Sequence, residues 1–334
     1  MQARSLRSLA VGLLFAVAAA PAYAQWKPTK PITIIVPWAA GGSTDQVTRV
    51  AAAEIEKALN QKVVIVNQPG ASGSIGTKNA VEAPKDGYTW AAGAAKDLGT
   101  YAVLGMLDTR IQDWALFLSV ANVSTLSVNP ATPYKTPTEL IDAMKAKPGA
   151  ISVATAGVNS SGHSAIEAIA RAANVKYKHV TYDGGNPAVV ATVAGETEST
   201  TQLTVEQAEM IRGKKLRPLA VIGDKPVELD GYGVIEPITK WMPGFKEPAN
   251  YFGIFIPKGV PPEVIATVEK IWANEIAKSA ALKSYATSRG AQFAPIAGAD
   301  AMKAVMPAVQ VNAWQAFDGG KAKVSPDTLG IPRP

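Results

Sequence analysis

The chain reads as an α/β protein of two lobes around a cleft. Three observations lead there. Strand-like and helix-like segments alternate from Pro31 to the end, the length left after an export leader exceeds what one hydrophobic core organises, and glycine-rich loops fall where strands pass into helices. In open α/β sheets those strand ends are where ligands collect.

The elements follow in order. Residues 1–24 carry Arg4 and Arg7, then the apolar run Leu9 to Ala20, then Ala22-Tyr23-Ala24, the small-residue pattern a signal peptidase reads, so cleavage is expected before Gln25. The run is short for a permanent anchor, and no later stretch approaches the roughly twenty apolar residues of a membrane span. Ile32, Ile34, Ile35 and Val36 form a β-branched strand without polar alternation, as expected of a parallel strand covered on both faces. Pro37 ends it. Gly41 and Gly42 allow a sharp turn and close approach to a ligand, and Ser43, Thr44 or Asp45 can cap the helix running through Val47, Val50, Ala51, Ile55 and Leu59. Unpaired amides at that helix start favour an anion such as a carboxylate.

A second strand, Lys62 to Val66, enters the loop Asn67 to Gly76 and a helix through Lys78, Ala80 and Val81. The turn Pro84-Lys-Asp-Gly87 precedes a strand from Tyr88 to Ala92, whose end carries the small-residue loop Gly93 to Asp97, with Ala94 a candidate contact. Phe117 to Val128 continues the pattern, Asn129 to Pro133 interrupts it, and a helix from Thr138 to Lys147 opens a new unit. The strand Ile151 to Ala154 feeds the loop Thr155 to Ser164 and the helix Ala165 to Ala173. The strand Lys178 to Tyr182 then enters Asp183 to Pro187 and the helix Ala188 to Ala194. Thr197 to Leu203 and Leu216 to Ile222 read as further strands, and Tyr251 to Ile256 and Pro261 to Ser279 return to the first pattern. The expected lobes are therefore 25–126 with 249–334, and 127–248. A chain that crosses twice makes a hinged cleft.

Composition and spacing exclude most chemistry. The formal charge is +6, and loss of Arg4 and Arg7 with the leader leaves +4, a mild balance with no basic stripe for nucleic acid. Arg212, Lys214, Lys215 and Arg217 make the one dense basic patch, read as a solvated surface loop. Without cysteine there is no lipid-anchored N-terminal Cys, disulfide, thiolate nucleophile or Cys-rich metal site. His163 and His179 are the two histidines, and neither sits in H-E-x-x-H; no Gly-x-Ser-x-Gly elbow occurs. His163 can orient a carboxylate or cap a helix, whereas His179 reads as structural. Gly157 to Ser164 has P-loop spacing but places His163 where the lysine belongs, and Gly70 to Gly76 departs from the dinucleotide spacing. No metal, nucleotide, flavin or other cofactor is expected.

Taken together, the leader, Pro37-Trp-Ala-Ala-Gly-Gly-Ser-Thr-Asp45, Asn67 to Gly76, Pro84-Lys-Asp-Gly-Tyr88, Gly157 to His163 and Tyr182-Asp-Gly-Gly-Asn-Pro-Ala188 resemble the Bug, or TctC-like, solute-binding proteins of tripartite tricarboxylate transporters, over essentially the whole mature chain. The resemblance implies a periplasmic, monomeric Venus-flytrap receptor, type II-like, each lobe a mixed, mainly parallel sheet flanked by helices. It implies capture of a small carboxylic acid and delivery to transporter membrane subunits. It also implies the contacts: Trp38, Ala40, Gly41, Gly42, Ser43 and Asp45 from the first loop, then Gly157, Ser160 and His163, and Tyr182, Gly184, Gly185 and Pro187 from the facing lobe.

Two positions depart from the family pattern. Trp38 stands where a smaller aromatic is common, and either stacks on a flat ligand or fills the cleft floor. Asp183 stands where a basic or polar residue is common, so it either points to solvent or disfavours a tricarboxylate such as citrate. A sensor that docks on a signalling receptor, or an enzyme on the same fold, are the alternative functions.

Overall fold

The computed structural model describes residues 26–334, so the expected leader lies outside the described residues. The chain begins with β1 (Ile32–Val36), α1 (Ser43–Leu59), β2 (Val63–Asn67), α2 (Ser74–Glu82), β3 (Thr89–Ala94), α3 (Ala95–Thr100) and β4 (Trp114–Asn122). It continues with β5 (Ser124–Val128), α4 (Pro137–Ala146), β6 (Ser152–Thr155), α5 (Ser161–Ala173), β7 (Lys178–Thr181), α6 (Gly185–Ala194), β8 (Ser199–Thr200), α7 (Thr204–Arg212), β9 (Arg217–Ile222) and the hairpin β10 (Val227–Leu229) and β11 (Gly233–Ile235). It closes with β12 (Asn250–Pro257), α8 (Pro262–Asn274), α9 (Ala280–Ser288), β13 (Gln292–Ala297) and α10 (Gly298–Asp318).

Two mixed sheets result. The first has the order β13-β4-β12-β3-β1-β2, the second β7-β6-β8-β5-β9. Parallel pairing is confined to one half of each, β1 with β2 and β3, and β6 with β7 and β8. The other pairs are antiparallel, so the expected predominance of parallel strands is corrected to four parallel and five antiparallel pairs. The reason is connectivity: β4 and β5 run on from one sheet into the other with only Val123 between them, and β12 re-enters the first sheet antiparallel between β3 and β4. The stretch Phe117 to Val128 is thus divided between the two sheets, and the first crossing falls at Val123 rather than after residue 126.

β1 shows why its lack of alternation is informative. Ile32, Ile34 and Val36 enter one apolar cluster with Val47, Ala51 and Ile55 of α1, while Ile35 enters a second with Ala80 of α2 and Val305 and Val309 of α10. Both faces are covered, and each fully buried aliphatic side chain contributes about 2 kcal/mol. This sheet presents the C-terminal ends of β1 and β3 to the second lobe.

The basic patch is not a solvated loop. The Arg217 guanidinium donates to the carbonyls of Pro130, Thr132 and Tyr134 at 2.9–3.2 Å. Arg212 pairs with Glu209 at 2.7 Å and bonds the Asp230 and Ser288 carbonyls, leaving Lys214 and Lys215 as the exposed members. The sequence pattern did not announce α3, α7, α9, α10, β13 or the β10–β11 hairpin.

Candidate ligand-binding cleft

The first wall is the β1–α1 loop. Gly41 has φ +81°, a left-handed conformation that disfavours side chains, and its amide donates to Asp45 Oδ2 at 3.0 Å. Asp45 is held further by Arg49 Nε at 3.0 Å and Asn67 Nδ2 at 3.0 Å. Burial opposes its ionisation, but these hydrogen bonds outweigh burial and keep its carboxyl below the usual range. Gly41 and Asp45 therefore brace the loop from behind, and the Gly41 amide is not available to a ligand. Gly42, the N-cap of α1, has φ −73° and ψ 173°, extended backbone open to any residue, which corrects the expectation that both glycines answer a backbone demand. What Gly42 supplies is the absence of a side chain toward the facing lobe, where a Cβ would stand 3.5 Å from Glu206 Oε1.

The second wall comes from α5, α6 and α7. Ser160 caps α5, its Oγ accepting from the His163 amide at 3.2 Å. α6 starts at Gly185 and α7 after Leu203. Glu206, in the first turn of α7, reaches across: its Oε1 accepts from the Ser43 amide at 3.0 Å, and its Oε2 from the Leu203 amide at 3.3 Å. Burial pushes the Glu206 carboxyl up to about 7, with the two amides pulling the other way.

These walls enclose a cleft of about 370 Å³. The lobes are shut on it. Further contacts cross between them: Ala39 N donates to Asp183 O at 3.1 Å, Val158 N to Ser72 Oγ at 3.1 Å, and Lys96 Nζ to Asn159 O at 2.7 Å.

Of the sequence candidates, Trp38, Gly42, Ser43, Ala94, Ser160 and Gly185 line the cleft. Trp38 does so while buried in the first lobe's core and packed over Gly73. The others stand elsewhere. Ala40 is exposed, Gly157 packs on Ser72, and Gly184 packs on Ala39. The Tyr182 hydroxyl donates to Glu196 at 3.2 Å, and Pro187 lies in the first turn of α6 outside the lining. Asp183 is exposed. His163 lines a separate cavity, its ring stacked on His179 at 4.5 Å and its Nε2 3.6 Å from Glu167. Burial and the neighbouring His179 push His163 down to about 3, so it is neutral at ordinary pH.

Thr44, Asp97, Ala156, Ser161, Gln202, Leu203, Glu206 and Phe252 also line the cleft and were not expected as ligand contacts. Glu206 had one sequence signal, an acid in a helical first turn, but it is readable only once α7 is recognised.

The electrostatics are built from backbone. The starts of α1, α5, α6 and α7 all contribute lining residues, each carrying roughly half a positive charge. Among the described residues no lysine or arginine lines the cleft. Its two acids differ: Asp97 is paired with buried Lys96 at 2.9 Å, whereas Glu206 has only amides.

The model of the tripartite tricarboxylate transporter family receptor (TctC) matches residues 47–312. The chain belongs to that family. It is 32% identical over 243 residues to a UPF0065 protein encoded in the tcbD-tcbE intergenic region of Pseudomonas sp. strain P51, covering 71% of each chain. It is 29% identical to BugT of Bordetella pertussis, covering 84% of this chain and 87% of that protein. An R. palustris protein solved with adipate superposes with a TM-score of 0.79 at 24% identity, over 88% of this chain and 98% of that one. MatC from Rhodopseudomonas palustris, with bound malate, gives 0.77 at 23%, over 85% and 99%. The shared fold is that of periplasmic solute-binding proteins.

Proposed function

We propose that the chain is exported, freed of residues 1–24, and acts in the periplasm as a soluble solute-binding protein that captures a small carboxylic acid between its lobes and delivers it to the membrane subunits of a tripartite tricarboxylate-type transporter. The observation that carries this reading is the convergence of four helix starts on one interlobe cleft without a lining lysine or arginine among the described residues. Oriented amides stabilise an anion without a counter-charge, so a carboxylate is the group this wall suits. Adipate and malate in structurally similar proteins are of that class. Among the described residues no helix is long and apolar enough to cross a membrane, which fits delivery by a separate membrane component. Binding and release with the ligand unchanged distinguish this role from catalysis.

The test is calorimetry with mono- and dicarboxylic acids and their neutral amides. The acid is expected to bind and to be recovered unchanged, the amide to bind at least about tenfold more weakly. Gly42→Val, which puts methyl groups into the cleft, is expected to weaken the acid by a similar factor, and Lys303→Ala, on the exposed face of α10, to leave it unchanged. Equal binding of acid and amide would sink carboxylate capture.

A further inference from the structure

The four helix starts are not equally open to a ligand. Glu206 already lies against three of them: its oxygens accept from the Ser43 amide at the start of α1 and from the Leu203 amide at the start of α7. At the start of α6 a Cβ on Gly185 would stand 2.1 Å from Glu206 Oε2, so the bare glycine is what admits the carboxylate. With the Gln202 amide turned so that both its ends are satisfied, its nitrogen lies 3.0 Å from Oε2 and its oxygen accepts from the Ala156 amide at 2.7 Å. The cleft thus holds a resident carboxylate before any ligand enters. Lys96 neutralises Asp97, but no cation faces Glu206 from the lining residues. Glu206 thus hydrogen-bonds the starts of α1 and α7 and packs on the bare Gly185 at the start of α6, and none of these contacts falls on the start of α5, at Ser160 and Ser161.

Resting on the carboxylate-binding reading above, we propose that Glu206 is the specificity-determining residue of the cleft: it restricts the ligand to one carboxylate, received at the start of α5, and selects a hydrogen-bond donor, an ammonium or hydroxyl, at the other end. A second carboxylate brought against Glu206 would meet a like charge in a poorly solvated space, whereas an ammonium or hydroxyl donates to it. Specificity then comes from a repulsive element as much as from the amides.

The experiment compares chains of matched length: succinate with 4-aminobutyrate, glutarate with 5-aminopentanoate, and adipate with 6-aminohexanoate, each titrated calorimetrically at pH 8 into the mature protein and into Glu206→Gln. Glutamine keeps an oxygen for the Ser43 amide and removes the charge. Circular dichroism and the unfolding midpoint of the variant establish that it is folded. At the best-fitting length the parent is expected to prefer the amino acid by at least about tenfold, and Glu206→Gln to lose or reverse that preference. Glu206→Asp, which keeps the charge, is expected to retain the sign of the preference. Equal binding of diacid and amino acid by the parent, or an unchanged ratio in Glu206→Gln, overturns the role of Glu206 while leaving carboxylate capture standing. Failure of both series, and of every simple carboxylate, to bind parent and variant alike overturns the carboxylate reading and this inference with it.

Discussion

The starts of α1 and α5 line the same cleft from opposite lobes and are finished in opposite ways. α5 is capped from within, Ser160 Oγ accepting from the His163 amide three residues on. α1 has a glycine at its cap and takes its acceptor from the other lobe, Glu206 bonding the Ser43 amide. A cap supplied by the helix itself survives any movement of the lobes. A cap supplied across the cleft exists only while they are shut, so the ionisation of one side chain is coupled to closure, and a motif legible in one lobe has its partner in another.

The coupling shows most strongly in the pH dependence of stability. Glu206 carries an ordinary value of 4.5 when unfolded and is pushed up to about 7 in the folded chain. Below pH 4.5 both states hold the proton and stability is full; between 4.5 and about 7 the unfolded chain releases it first, so stability falls as pH rises, then levels. The full drop is of the order of 3 kcal/mol. Glu247, also pushed up to about 7 by burial, falls in the same window, and Tyr285 of α9 faces Glu206 but ionises well above it. The Glu206 share is therefore the difference between parent and Glu206→Gln in urea unfolding at pH 4.5, 6 and 8. The variant is expected to gain on the parent across that range, and a constant difference would show that the cross-lobe cap does not titrate.

A smaller effect separates the two glycines. Gly41→Ser forces a side chain to φ +81° and is expected to cost about 2 kcal/mol of stability. Gly42→Ser meets ordinary backbone and gives α1 an internal cap like that of α5, so stability is expected to hold or rise by a few tenths of a kcal/mol. Thermal unfolding of both variants decides this; equal losses would mean that the loop, not the conformation of Gly41, sets the cost.

Much of the first lobe was legible because its signals are local. The unbroken β-branched run Ile32 to Val36 announced a strand buried on both faces, and Pro37 and the glycine pair announced the joint to α1. The second wall was half legible. Ser160 and Gly185 entered through the resemblance to the family's loops, whereas α7 begins after Leu203 with no Ser, Thr, Asp or Asn at its cap, so the helix whose first turn holds Glu206 went unread. His163 misled for a related reason: its spacing after Gly157 is visible in sequence, but the helical turn that aims its ring away from the cleft and onto His179 is a tertiary fact. The split at Val123 was hidden because strands of two lobes join there without any turn residue.

The smallest expected effect sharpens the contrast between the two caps. Ser160→Ala removes the acceptor of the His163 amide and also the donor to Gly157 O at 2.8 Å, and loss of such a cap costs about 1 kcal/mol. Neither partner titrates near neutrality, and His163, pushed down to about 3, stays uncharged from pH 5 to 8. The loss is therefore expected to be the same at pH 5 and pH 8 in urea unfolding, whereas the Glu206→Gln difference changes with pH over that interval. The cap made within a helix and the cap made across the cleft are then told apart by slope rather than by size. A Ser160→Ala loss that varies with pH would mean that α5, like α1, leans on a titrating group, and the distinction between the two helix starts would not hold.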